Sequence, residues 1–291
     1  MAQQVWFITG SSRGFGRELV RSALAAGDSV VATARRPEQL AGLVAQYGDR
    51  ILPVALDVTD AAAAQQAMAA AVARFGRIDV VVNNAGYANV APIETGPEDD
   101  FRTQFETNFW GVYNVSKAAV TAMRPQGSGI IVQFSSVGGR VGGNAGIGSY
   151  QAAKFAVDGF SRVLAVETAP FGIKVLVVEP SGFATDWAGS SMKIEPVSPG
   201  YEATVGALAT FFAGSEHVAA GDPARGAEII VNVVKRANLP SHLPLGVNAV
   251  EMSRAYSNGQ LAELDTWAAV SKSADSSQAY PQPFPADVAS K

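Results

Sequence analysis

The chain of 291 residues carries 22 Lys and Arg against 26 Asp and Glu, a formal charge of −4, and 48% of its residues are apolar. This balance gives no basic footprint for nucleic acid and too few charges for a disordered chain, so a compact fold with a large buried core is expected. No cysteine is present for a disulfide frame or a thiolate nucleophile, and without a basic leader or an apolar run near the roughly 18 residues of a membrane span, a soluble, cytoplasmic protein is expected.

Val5-Trp6-Phe7-Ile8 predicts a first strand, and Glu18 to Ala26, apolar at Leu19, Val20, Ala23, Leu24 and Ala25, a first helix. Between them lies Thr9-Gly10-Ser11-Ser12-Arg13-Gly14-Phe15-Gly16. Strand, glycine loop and helix in that order make an anion site. Bare N–H groups and the positive end of the helix dipole face a phosphate, and glycine allows the close approach and positive φ. Gly10, Ser12, Arg13, Gly14, Phe15 and Gly16 are therefore candidate binding residues. The alternative is a glycine-rich turn that binds nothing.

Further strands are expected at Ser29 to Arg35, Ile51 to Val58, Val80 to Val82, Gly129 to Ser135 and Lys174 to Glu179, with helical patterns such as Ala61 to Phe75 and Tyr150 to Phe171 between them. Near-continuous valine and isoleucine runs suit a parallel sheet covered on both faces. The alternation predicts an α/β fold: a doubly wound, open, parallel sheet of Rossmann type, layered α/β/α, with ligands at the carboxyl ends of its strands. At those ends stand the glycine loop, Asn83-Asn84-Ala85-Gly86 and Ser135-Ser136.

From Phe183 to Tyr201 the pattern breaks into Gly, Ser, Pro and Met, which reads as a mobile, partly helical flap over the site or as an ordinary long connection. Asp222-Pro223 is an N-cap signal for a helix through Arg236. Leu243-Pro244-Leu245-Gly246 suggests a short last strand, and Asn248 to Ser271 one or two helices with Leu261, Leu264 and Trp267 on one stripe. A single domain over residues 1–272, its flap at about 183–220, and an irregular arm over 273–291 are expected. The two histidines, His217 and His242, are far apart in sequence, and no metal is expected.

With Tyr150-x-x-x-Lys154 added to the glycine loop and Asn83-Asn84-Ala85-Gly86, the chain resembles the short-chain dehydrogenase/reductase family over roughly residues 4–250. Each motif alone is weak; together they stand in the family's order and at its structural stations. The spacing Gly-x-x-x-Gly-x-Gly is similar to that of the family's single-domain oxidoreductases. The resemblance implies a nicotinamide cofactor and a tyrosine and lysine at Tyr150 and Lys154 that handle the proton, with a serine at Ser136 and a helix-borne asparagine at Asn108. It further implies that Asp57 and Val58 border the adenine, that Asn84, Ala85 and Gly86 lie along the cofactor, and that Pro180, Phe183 and Thr185 flank the nicotinamide. Other readings remain: Tyr150 and Lys154 as a surface pair, Ser136 as a strand-end cap, Asn108 as a structural amide, Asn84 as a tie between strands, Asp57 as a turn residue.

Three departures from the family pattern are visible. The interval from Ser136 to Tyr150 is one residue longer than usual, Ser181 replaces the glycine expected after Pro180, and the C-terminal sheet edge with Asp-Gly-Gly, frequent in the family, is missing.

If hydride goes to a carbonyl, the alkoxide must be protonated, and a phenol of ordinary pKa about 10 is a poor partner near neutrality. Lys154, one helical turn from Tyr150, is expected with the oxidised nicotinamide to lower that pKa. Ser136 would donate to the oxyanion, and Asn108 would hold a water serving Lys154. The second strand ends in Ala34-Arg35-Arg36 with no acid to accept from the ribose, and Arg13 sits in the glycine loop. These arginines suit a 2′-phosphate, so NADP(H) is expected, unless Arg35 and Arg36 are merely solvated. Val137, Ile147, Phe183, Trp187 and Met192 are candidates for an apolar pocket.

The expected activity is an NADPH-dependent carbonyl reductase, reversible as an alcohol dehydrogenase, on a small hydrophobic ketone, aldehyde or alcohol. A steroid- or retinol-type dehydrogenase and a non-catalytic NADP-binding redox sensor are the alternatives. The family pattern implies a homodimer or homotetramer, paired through the helices of Asn108 and Tyr150.

Overall fold

Strands that are apolar on both faces must be covered from both sides, and this requirement organises the chain. The computed structural model describes residues 3–185, 192–213 and 220–285. Its strands in chain order are β1 (Val5–Ile8), β2 (Ser29–Ala34), β3 (Ile51–Ala55), β4 (Val80–Asn83), β5 (Asn89–Val90), β6 (Gly129–Phe134), β7 (Ile173–Pro180), β8 (Lys193–Ile194) and β9 (His242–Leu245). Seven of them form one sheet in the order β3-β2-β1-β4-β6-β7-β9, every pairing parallel. The order reverses between β1 and β4, which opens the crevice where a doubly wound sheet binds its ligand.

The helices are α1 (Gly14–Ala25), α2 (Ala41–Tyr47), α3 (Ala61–Phe75), α4 (Glu98–Phe105), α5 (Gly111–Met123), α6 (Gly148–Thr168), α7 (Ala207–Ala213), α8 (Pro223–Val234) and α9 (Val247–Lys272). On one face of the sheet Trp6, Ile8, Val30 and Val80 pack with Leu19 and Leu24 of α1 and Ile230 and Val231 of α8. On the other, Phe7, Val31 and Val81 pack with Ala67 and Met68 of α3, Val115 and Met123 of α5 and Leu164 of α6. The three-layer Rossmann-type arrangement follows. Asp222 caps α8, accepting from the N–H groups of Ala224 at 2.9 Å and Arg225 at 3.3 Å, and such a cap stabilises by about 1 kcal/mol.

One local reading changes: helix α1 starts at Gly14, so the end of the glycine loop is the first turn of the helix. Of the one or two helices expected after β9, one unbroken element forms, α9. The described part of the expected flap is partly helical: β8 pairs parallel with β5 in a small second sheet, and a π-helical turn (Glu202–Gly206) leads into α7. None of the helices among the described residues is long and apolar enough to cross a membrane.

Candidate active site

The glycine loop is built around three ties. The Thr9 hydroxyl oxygen accepts from the N–H groups of Asn84 and Ala85, both at 3.0 Å. Asn84 Nδ2 donates back to the Thr9 carbonyl at 2.9 Å, so Asn84 is a tie between β1 and β4. Gly10 and Gly14 hold φ of 66° and 53°, the left-handed region that a side chain disfavours. A Cβ on Gly16 would collide with the Gly10 carbonyl and lie 2.6 Å from Asn84 Nδ2. Helix α1 opens from Arg13 in extended backbone with no side-chain cap and no acid in its first turn. Its first N–H groups and its dipole therefore face the crevice at the carboxyl end of β1.

At the end of β2, Arg35 and Arg36 are exposed. Asp57 lies across from them, and its Oδ1 accepts from the Thr59 N–H at 3.0 Å and the Thr59 hydroxyl at 2.8 Å. These bonds, led by the backbone one and assisted by the charge of Arg35, hold its carboxyl below the ordinary range. Val58 is buried against the start of α5, where a Cβ on Gly111 would reach 3.1 Å from its own Cβ. The charge of Arg35 also reaches Tyr87, the residue after Gly86, which the sequence did not single out.

Tyr150 and Lys154 project from the first turns of α6 and are 8% and 4% exposed. The Tyr150 hydroxyl is hydrogen-bonded to Ser136. Lys154 Nζ donates to the Phe134 carbonyl at 2.6 Å and lies 5.7 Å from the Tyr150 ring centroid. Ser136 opens a short 3₁₀ turn (Val137–Gly139), its Oγ accepting from the Gly138 N–H at 3.0 Å. Its neighbour Ser135 points elsewhere and donates to the Lys154 carbonyl at 3.0 Å, fixing α6 to β6. The longer interval before Tyr150 is taken up by Gly142, Gly143 and Gly146, all at positive φ.

In the chain alone, without the nicotinamide charge on which the expected lowering of the phenol also rests, burial dominates this pair. Burial pushes Tyr150 up to about 12, with the Ser136 hydrogen bond opposing, and burial brings Lys154 down to about 8. The ammonium serves the Phe134 carbonyl, and the site is too dry to favour a tyrosinate in the chain alone.

Asn108 sits fully buried in a π-helical turn (Glu106–Trp110) between α4 and α5. Its Oδ1 accepts from the Tyr87 N–H at 3.0 Å and its Nδ2 donates to the Tyr87 carbonyl at 2.8 Å. The side chain thus fixes the backbone just after Gly86. A Cβ on Gly86 would stand 2.8 Å from Asn108 Oδ1 and 3.6 Å from Lys154 Nζ, so glycine keeps open the space between these two groups.

After Pro180, the last residue of β7, the chain turns back over α1. Thr185 Cβ is 3.4 Å from where a Gly14 Cβ would stand. Phe183 corrects its pocket assignment. Its ring lies 4.7 Å from that of Phe15, under Gly221 and Gly226, and it packs against the main core. Ser181, in place of the family's glycine, donates its N–H to the Leu245 carbonyl at 3.1 Å.

An apolar cluster does surround Tyr150: Ala88, Val90, Ile147, Val205 and Ala209 are buried with it, and Met192, Ile194, Tyr201 and Phe212 pack alongside. Ile147 and Met192 therefore belong to it, Val137 is buried in the turn after Ser136, and Trp187 lies outside the described residues. The wall beyond Met192 is strapped down, with Lys193 N–H donating to Asn89 Oδ1 at 3.0 Å and the Tyr201 hydroxyl to Glu94 at 2.6 Å. The sequence did not single out Ile194, Tyr201, Val205, Ala209 and Phe212, because they are scattered over a two-residue strand, a turn and the short helix α7 with no lasting period.

A family model described as short chain dehydrogenase matches residues 4–195. The chain belongs to the short-chain dehydrogenase family. It is 49% identical over 91% of its length to oxidoreductase BOA17 of Botryotinia fuckeliana, covering 96% of that protein. A short-chain dehydrogenase from Streptomyces avermitilis superposes with a TM-score of 0.87 at 40% identity, covering 94% of this chain and 99% of that one. A gluconate 5-dehydrogenase from Burkholderia cenocepacia, in complex with NADP and tartrate, reaches a TM-score of 0.62 at 30% identity, covering 65% and 75%. This short-chain dehydrogenase is accordingly an oxidoreductase of a family that binds a nicotinamide cofactor. The bare backbone at Gly10, Gly14, Gly16 and Gly86, where side chains would be strained or collide, fits that group.

Proposed function

We propose that this short-chain dehydrogenase is an NADPH-dependent reductase of hydrophobic ketones and aldehydes, reversible as an alcohol dehydrogenase. The observation that carries the reading is a buried phenol, Tyr150, hydrogen-bonded to Ser136 and one helical turn from Lys154, whose Nζ lies 3.6 Å from where a Gly86 Cβ would stand. A bound dinucleotide supplies the hydride; the chain supplies position, polarity and a proton. The phosphates would rest on the first turn of α1 and the backbone from Gly10 to Gly16, with Asp57, Val58 and the Asn84–Gly86 backbone along the adenosine half. Pro180 and Thr185 would border the nicotinamide end.

In the dinucleotide-free chain burial pushes Tyr150 up to about 12, so the phenol holds its proton there; the positive charge of an oxidised nicotinamide, with Lys154, would bring it down toward the working pH. Ser136 donates to the carbonyl oxygen as charge develops there. Lys154, at about 8, exchanges protons near neutrality and returns one to Tyr150. Asn108 shapes the corridor beside Gly86 through which water would reach Lys154. Arg35 and Arg36, exposed at the end of β2, with Arg13, support a 2′-phosphate and hence NADP(H).

Val90, Ile147, Val205 and Met192 pack around Tyr150, an apolar surface that favours an apolar substrate. Exposed Trp110, just before α5, and Phe155, Val163 and Val166 on α6 support a homodimer or homotetramer paired through α5 and α6. A redox sensor has no use for the buried proton-handling set. Screening NADPH consumption over aliphatic, aryl and polycyclic ketones tests the reading and separates a general reductase from a steroid-type enzyme. Tyr150→Phe should cut turnover by about 10²–10⁴-fold while NADPH binding, followed by fluorescence, persists. Undiminished turnover in that variant would remove Tyr150 from the chemistry.

A further inference from the structure

Asp158 of α6, Glu179 of β7 and His242 of β9 each present an atom within 4.8 Å of the others, although they are widely separated in sequence. Two carboxylates and an imidazole would suit a cation, but the chain matches its own charge here. Arg140 donates to Glu179 Oε2 at 2.8 Å and Arg162 to Asp158 Oδ2 at 2.9 Å. His242 Nε2 meets Asp158 Oδ1 at 2.6 Å.

Arg140, Asp158 and Glu179 belong to segments that carry part of the proposed site, and His242 ties Asp158 to β9. Arg140 closes the turn that Ser136 opens. That turn presses on the helix of Tyr150, since a Cβ on Gly139 would stand 2.7 Å from Lys154 Cβ. Asp158 lies one turn beyond Lys154 on α6. Glu179 immediately precedes Pro180, and its side chain is 1% exposed. Its Oε1 is buried with no hydrogen-bond partner among the described residues, so Glu179 depends heavily on Arg140. Burial pushes Glu179 up against the pull of Arg140. Burial alone would also raise Asp158, but the His242 and Arg162 hydrogen bonds outweigh it and hold its carboxyl below the ordinary range.

We propose that Arg140, Glu179, His242 and Asp158 form a positioning network that sets the Ser136 turn, the Tyr150–Lys154 helix and the end of β7 in register for reduction. None of the four touches the reacting atoms. The proposal rests on the function argued above, and it assigns His242 on the last strand a part in turnover. A loose network lets Ser136 and Tyr150 drift relative to the crevice, while the glycine loop on the far side of the sheet order is untouched.

The test compares His242→Leu with His242→Gln, whose amide nitrogen reaches the place of Nε2 and can still donate to Asp158. His242→Leu should lower kcat about tenfold with NADPH affinity, read by fluorescence, within about twofold of the parent. His242→Gln should recover most of the loss. Hydrogen exchange on the dinucleotide-free proteins supplies a second readout that needs no turnover. His242→Leu should speed exchange in residues 136–142 and in the first two turns of α6, leaving β1 and the start of α1 unchanged. If the parent reduces no carbonyl, the proposed function fails, while the exchange pattern still decides whether the network holds these segments. Equal kcat in all three proteins, equal loss in both variants, or exchange that rises everywhere or nowhere would overturn the network's role.

Discussion

Replacing Lys154 with methionine should remove a buried charge that the folded protein tolerates at a cost. Burial brings the ammonium from 10.5 to about 8, and at about 1.4 kcal/mol per pH unit this is roughly 3 kcal/mol of penalty at neutral pH. The sign follows from the lowered folded value. Below pH 8 both states hold the proton and the penalty is in full force. Between about 8 and 10.5 the unfolded chain binds more protons than the folded one, so stability rises with pH until the penalty is gone. Methionine fills a similar volume but abandons the 2.6 Å bond to the Phe134 carbonyl, a loss of about 1–3 kcal/mol. The two effects nearly cancel at pH 7, where Lys154→Met should lie within about 2 kcal/mol of the parent. Near pH 10 the parent should lead by a further 2–3 kcal/mol or so. Tyr150, raised to about 12, contributes stability that is present below pH 10 and lost as pH rises through 12, but it does so in both proteins. Urea unfolding of the dinucleotide-free proteins at pH 7 and pH 10 measures the difference. A stability gap that is the same at both pH values would show that the ammonium carries no such penalty.

Gly16→Ala places a methyl group against the Gly10 carbonyl and Asn84 Nδ2. It should cost about 1–3 kcal/mol in stability and at least tenfold in NADPH affinity, read by thermal unfolding and fluorescence titration; full affinity would mean that phosphate does not rest on this backbone. Arg35→Asp trades a charge-assisted donor worth about 1.5–3 kcal/mol for a repelling carboxylate. NADPH binding should weaken by about 10–150-fold with NADH unharmed or improved, and parallel losses for both cofactors would refute the 2′-phosphate assignment.

The parts legible in the sequence are those whose causes are local. The apolar runs that became β1, β4 and β7 carry their own period and length, and Asp222-Pro223 announces the start of α8 by side-chain chemistry within three residues. The glycine loop is legible because positive φ and close approach exclude other residues. What escaped depends on distant partners. Nothing near Asn108 announces a π-turn, which here places the Asn108 amide against the Tyr87 backbone. Two residues are too few for a strand signal, and β8 exists because Asn89 and Val90 offer an edge to pair with. Phe183 was placed in the pocket as the first residue of the expected flap, whereas its ring packs half-buried against Phe15 and the core, under the bare faces of Gly221 and Gly226.

The pKa of Tyr150 belongs to the same class of consequence and shows why a motif is not yet a mechanism. Spacing puts Tyr150 and Lys154 one turn apart, which suggests that the ammonium stabilises a tyrosinate. Folding buries both, gives the ammonium to the Phe134 carbonyl, and moves the two groups toward their neutral forms. If Tyr150 hands over the proton as proposed, carbonyl reduction needs the phenol protonated and alcohol oxidation needs it deprotonated. Raising the pH should therefore depress reduction and favour oxidation, and pH profiles with the same slope in both directions would refute that role.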